Sequence, residues 1–370
     1  MRNIIYATYN YLSGFKRFAS KKVNKIIIIL VVISSFGACI FYYVSQGVYE
    51  KSVVEQMLHR EQVVSRAGTT AMESFLKLLG NQIANYSTRG TIVDSGTNTQ
   101  SDLDLFMKIW KEEPIGGIIL TDKNGVVIYN SNRLGTRDIG SDISDRDYFK
   151  SLKSSSKEGE FIIGSPVISQ MGASKGKYIV ALASPVVTNG QFNGILAVSL
   201  ILSDLADKYL DPLKISPQTR VYMIDSNGVI MHSPFSNLIG VNYFEYLNKS
   251  NLKDSDKIID SLDVILRTSG ESKLDIFLPA EPNFQLKRYL IAVSTVDIST
   301  FSNSLNWKLA IATPVDDAFL FLYPYSSFSI VYLLFGLFIV LAFSALIILI
   351  IKIEMAKAYK EGFNNAKEKK

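Results

Sequence analysis

Cysteine and histidine are scarce in this chain, and the usual catalytic signatures are missing. One cysteine, Cys39, among 370 residues excludes an internal disulfide, so whatever folds here is held by packing. The two histidines, His59 and His232, stand far apart and without metal-ligand spacing, which argues against a metal centre. No Gly-x-Ser-x-Gly elbow, phosphate-binding glycine loop or His/Cys cluster occurs. Asp316 and Asp317 are adjacent carboxylates, and on the extended strand expected there neighbours face opposite ways, a poor acid/base pair. No enzyme and no cofactor is expected; a hydrolase would need a nucleophile and base that only folding brings together.

Charge is missing from two runs, Ile26–Val44 and Phe328–Ile351. Each matches the roughly 20 apolar residues a helix needs to span hydrocarbon. Six bases and no acid precede the first run; six bases against three acids follow the second, a net +9 at the ends. The whole chain is +5, so the middle carries −4, and the positive balance speaks for topology rather than for nucleic acid. Short basic flanks stay inside, so both termini are expected in the cytoplasm of a two-pass cell-membrane protein with its main domain extracytoplasmic. A long basic segment and no small-x-small site make the first run an anchor rather than a cleaved signal. Phe36-Gly37-Ala38-Cys39 loosely resembles a lipid-attachment box, but Ile40–Val44 extends the span beyond it.

Between the runs, apolar residues from Val53 to Tyr86 recur at three- and four-residue intervals and predict a stem helix over about Val48–Arg89, roughly 60 Å long. Short strand patterns follow. Asp122-Lys123-Asn124-Gly125 sits between two β-like runs, its Asn-Gly expected to supply the positive φ angles of a tight hairpin. Asp225-Ser226-Asn227-Gly228 repeats the phrase, and Ile139-Gly140 and Ile239-Gly240 follow the two copies. A Tyr-Phe pair comes next in each, and Lys177–Leu182 matches Arg288–Val293. A period near one hundred residues means two whole domains.

The expected class is α+β: a stem helix and two tandem antiparallel-sheet modules, with helices on one side of each sheet, flanked by two transmembrane helices. The expected segments are a basic cytoplasmic stretch 1–25, a first span 26–46, stem and linker 47–104, a membrane-distal module 105–212, a membrane-proximal module 213–323, a second span 324–351 and a cytoplasmic tail 352–370.

With the stem, the Asp122–Gly125 turn, Ser144–Phe149, Gly164–Val167, Ala183–Val186 and Gly190–Leu196 in this order, the chain over about 48–318 resembles the double Cache family. These are tandem PAS-like extracytoplasmic sensors of bacterial receptors. The resemblance implies a small-molecule pocket in the distal module, signalling through the helices and a possible homodimer along the stem.

In that family an Arg in the Arg-x-Tyr-Phe motif grips a ligand carboxylate, and here the Arg is Arg146, with Tyr148 and Phe149 behind it. A guanidinium fork suits two oxygens; the competing reading is a surface salt bridge to Asp142, Asp145 or Asp147. Tyr148 and Phe149 are echoed by Tyr243 and Phe244, while Val241 stands where Arg146 does, so Arg146 sets the first copy apart. Amino-acid binders of the family carry a Tyr and an Asp at the positions held here by Ser141 and Ser199. A buried ammonium without its carboxylate is costly, so a free α-amino acid is disfavoured against another carboxylate or a neutral metabolite. Ser165, Tyr178 and Ser184 complete the expected lining, each also readable as an ordinary strand residue.

After Ile351 some 19 residues remain, too few for a kinase, cyclase or coiled-coil output. The expected function is therefore a membrane-anchored sensor working through a separate signalling protein. The alternatives are a truncated receptor and an envelope assembly module with no small-molecule ligand.

Overall fold

Helix-favouring periodicity carries a single helix, α1, through Arg2–Ser87 in the computed structural model, which describes residues 2–249, 255–268, 270–280, 285–300, 304–320 and 323–368. The chain divides into two units, Met1–Val53 with Phe319–Lys370, and Val54–Ala318.

In the first unit the last helix runs over Tyr323–Glu368, and its segment Gly336–Ala358 is long and apolar enough to cross a membrane. It is the one such segment among the described residues. The expected first span, 26–46, has helical backbone within α1, but many of its side chains lie outside the described residues. Those described include Phe36, Phe41 and Tyr43, all exposed.

The second unit holds two sheets of matching design. After α1 come α2 (Gly90–Val93) and α3 (Thr99–Ile109), then β1 (Ile115–Thr121), β2 (Val127–Asn132), α4 (Asp147–Ser154), β3 (Ile162–Ile163), β4 (Val167–Ile168), β5 (Tyr178–Thr188), β6 (Gln191–Ile201) and α5 (Leu202–Tyr209). The first sheet is antiparallel in the order β2-β1-β6-β5-β3, with β4 also on β5. The second module has β7 (Arg220–Ile224), β8 (Ile230–His232), α6 (Tyr243–Lys249), α7 (Ser255–Arg267), β9 (Ser272–Ala280), β10 (Gln285–Ser299) and β11 (Ser304–Pro314), ordered β8-β7-β11-β10-β9. Then follow α8 (Val315–Leu320) and the terminal helix, α9. Asp316 and Asp317 thus lie in the first turn of a helix rather than on a strand, where carboxylates complement the dipole.

One core joins these parts. Met72, Leu76, Leu79 and Ile83 of α1 pack with Leu196 and Val198 of β6 and with Trp307 and Leu309 of β11. A Cβ on Gly68 would strike Leu213 and Leu309, and one on Gly80 would strike Phe161, so glycine lets α1 lie close to both modules. Helices do not keep to one side of the first sheet. α1, α3 and α5 cover one face and α4 the other, because β5 is buried almost throughout and needs cover on both faces.

The repeat is real, but its register differs from the sequence reading in three places. The hairpin turn is an Asp-capped loop: the Asp122 carboxylate accepts from the Asn124 and Val126 amides at 2.9 Å each, and Asp225 does the same for Asn227 and Val229. Only the glycines, Gly125 and Gly228, have positive φ there, with a bulge beside each turn. The Tyr-Phe echo is not an equivalence. The Ile143 amide donates to Gly125 at 3.0 Å as Tyr243 does to Gly228 at 2.9 Å, and the Val127 and Ile230 amides donate to Ser141 and Val241. Val241 therefore matches Ser141, and Arg146 matches Tyr246. Finally, Tyr178 and Tyr289 face opposite sides of their sheets, since a one-residue slip reverses every side chain of a strand.

Candidate functional site

On the α4 face of the first sheet, small residues leave space. Gly117 on β1, Ala181 on β5 and Ala197 and Ser199 on β6 meet side by side in the strand register. Above them a cavity of about 60 Å³ is closed by the start of α4 and by the loop from Ser169 to Ser174. That loop is tied by the Ser169 and Ser174 hydroxyls, 2.9 Å apart.

Arg146 ends the extended segment before α4 and points into the cavity. Its side chain is only 16% exposed, and its ion pair is a 3.7 Å contact from Nε to Asp145, a side chain 72% exposed. So exposed a carboxylate compensates a buried guanidinium weakly. The ordinary surface pairing and the cavity position thus coexist at one residue. Tyr148 stands beside it, 6% exposed, with burial pushing its phenol up to about 12, so it is a proton donor at any physiological pH.

The cavity also holds a carboxylate that the sequence reading missed. Asp138 accepts from the Gly172 amide at 3.3 Å, from Asn130 Nδ2 at 3.2 Å and from Asn132 Nδ2 at 3.3 Å, and all four residues line the space. Three neutral donors hold this charge in place, and no cation pairs with it among the described residues. Its counterpart in the second module is Leu238, by the shared Gly140 and Gly240 bonds. Comparing the copies in that register would have singled it out. Ser199 does line the cavity, but the acid enters from the β2–α4 connection rather than from β6.

The other expected residues lie elsewhere. Phe149 is buried 5.8 Å from the Phe192 ring in the core behind α4. Ser165 does not line the cavity; its amide donates to Asp147 at 2.9 Å. Ser184 is turned to the α1 face, where its hydroxyl donates to the Glu160 carbonyl at 2.6 Å and meets Ser87 Oγ at 2.9 Å. Tyr178 is also on that face, with its hydroxyl against Gly240 of the second module. Cavity-facing positions on β5 are odd-numbered, and both of these are even. Among the described residues no cluster of His, Cys, Asp and Glu could hold a metal.

A protein-family model described as Cache domain matches residues 48–320. No curated protein matches the chain. Among solved structures it is similar to a protein titled Methyl-accepting Chemotaxis protein X, at 16% identity and TM-score 0.54, covering 70% of this chain and 98% of that one. It is also similar to the ligand-binding domain of the Pseudomonas aeruginosa PAO1 amino-acid chemoreceptor PctB in complex with L-Arg, at 16% identity and TM-score 0.52, covering 74% and 92%. An extracellular ligand binding receptor from Desulfohalobium retbaense DSM5692, 12% identical with TM-score 0.48, matches over 68% of this chain and only 39% of its own length. At these identities the likeness is one of fold.

Proposed function

The chain belongs to the Cache domain family, and from that premise we propose that it is a two-pass membrane sensor whose first module takes a small carboxylate outside the cell. Occupancy passes through α1 and α9 to a separate signalling protein. Arg146 carries the reading: a guanidinium largely withdrawn from water, lining a cavity, and paired among the described residues only at 3.7 Å with an exposed acid. A ligand carboxylate supplies two charge-assisted bonds that Asp145 does not. Asp138, fixed by neutral amides, orients a second, donating group on the same molecule, and with an ammonium there the ligand is a zwitterion. Asp138 supplies the carboxylate that Ser199 does not, so an ammonium need not be buried unpaired and a free α-amino acid fits the cavity.

A ligand shifts the balance between two receptor states only by its difference in affinity for them. Packing of α1 against both sheets supports the stem as the element that moves. The test is a thermal-shift screen of the full chain in lipid nanodiscs against amino acids and the hydroxy acids that match them. Arg146→Ala is expected to weaken any stabilising carboxylate by about tenfold or more. Asp138→Asn should weaken amino acids far more than hydroxy acids. A hit that survives Arg146→Ala undiminished rejects the assignment.

A further inference from the structure

The second module contains a cavity of its own, about 70 Å³, between α7 and the sheet. It lies on the same sheet face as the first cavity: Arg220 occupies the register position of Gly117, Ala312 that of Ser199 and Ile291 that of Ala181. Its walls differ in kind. Leu262, Ile265 and Leu266 of α7 face Ile291 and Val293 of β10, and the polar side chains that break this apolar surface are Tyr222, Tyr243 and the neighbouring pair Arg220 and Tyr289.

Arg220 and Tyr289 lack well-formed partners beyond each other and the neighbouring ring among the described residues. Tyr289 is 2% exposed, and its buried hydroxyl makes no well-formed hydrogen bond among the described residues, the Arg220 guanidinium lying near enough to act on it. The Arg220 guanidinium is 4.9 Å from the centre of the Phe235 ring and 5.4 Å from that of Tyr289, and no ion pair reaches it among the described residues. A buried phenol left unbonded costs free energy that a ligand oxygen would recover. The rings hold the guanidinium plane without neutralising it.

We propose that this cavity is a second ligand site, selective for a small amphipathic carboxylate. The carboxylate sits between Arg220 and the Tyr289 hydroxyl, and a branched apolar tail fills the space under α7. A water needs about 10–15 Å³ of such space, so the cavity holds on the order of five to seven non-hydrogen atoms. The first cavity presents a carboxylate and side-chain amides to its ligand. This one presents none of these, so the two modules select different molecules. The inference does not depend on the assignment of the first cavity.

Isothermal titration of the full chain in lipid nanodiscs with 3-methylbutanoate, and with the corresponding amide as control, tests it. The acid is expected to bind more tightly than about 1 mM and the amide about tenfold more weakly. Arg220→Gln should lose about tenfold or more in affinity, and Ala312→Leu, which fills the floor, should abolish binding. Arg146→Ala should leave the titration unchanged. If Arg220→Gln does not fold by circular dichroism, Tyr289→Phe carries the test with an expected several-fold loss. Absence of saturable binding to the wild-type chain, equal binding of acid and amide, or loss in Arg146→Ala with retention in Arg220→Gln overturns the proposal.

Discussion

Single residues decide most of the chemistry, and the least expected of them is Glu61 on α1. Its side chain is wholly enclosed, and neither carboxyl oxygen has a well-formed hydrogen bond. Burial pushes its pKa from 4.5 up to about 8, with the Thr313 hydroxyl pulling the other way. Between those values the folded chain holds a proton that the unfolded chain has released. The stability Glu61 permits is therefore complete below about pH 4.5 and is lost as pH rises towards 8, at up to about 1.4 kcal/mol per pH unit. Glu61→Gln should flatten that slope and raise the thermal midpoint at pH 8 while changing it little at pH 5. Denaturation followed from pH 5 to 8.5 measures both, and an unchanged slope would mean that water reaches the carboxyl. Nothing in the sequence marked this residue, because a helical glutamate reads as a solvent-facing one. The motif singled out Arg146, which lines the first cavity, but not Asp138, since finding that residue required the register that the backbone bond between Gly140 and Val127 supplies.

At the scale of elements, α1 and the strands were legible because their periods are set by backbone geometry. Strand parity was not, and two of the expected site residues, both on β5, lie off the cavity for that reason. Tyr178 and Ser184 are even positions on β5 and face α1, whereas Ile179 and Ala181 face the cavity. Aligning Tyr178 with Tyr289 by sequence likeness hid this one-residue difference. The apolar helices are the elements on which topology depends. Exposed Phe338 and Phe343 in α9, like Phe36 and Phe41 in α1, form surfaces unsuited to water. The single native cysteine makes the arrangement easy to test. In a Cys39→Ser background, Ser156→Cys on an exposed loop of the first module should react with a membrane-impermeant maleimide in intact cells. Ser13→Cys and Ala366→Cys should react only after the cells are permeabilised. Labelling of Ser13→Cys in intact cells would put the amino terminus outside and reverse the reading of the basic flanks.

For the molecule between 54 and 318, the consequential feature is that two modules share one core with one helix. Tandem domains joined by a linker unfold separately, and each reports only its own mutations. Here Leu309 of β11, fully buried, packs in the same cluster as Leu79 of α1 and Leu196 of β6 in the other module. Removing its side chain leaves a cavity worth about 2–5 kcal/mol, and that loss should not stay local. In Leu309→Ala, amide exchange in β1 and β6 should accelerate by nearly the same factor as in β7 and β11, because α1 cannot leave one sheet while packed on the other. Hydrogen exchange read by mass spectrometry on the full chain in nanodiscs gives the two factors directly. If exchange accelerates in the second module alone, the modules are energetically separate. A ligand in the first cavity would then have to reach the membrane through α1 by displacement of the helix itself rather than through the joint stability of the body around it.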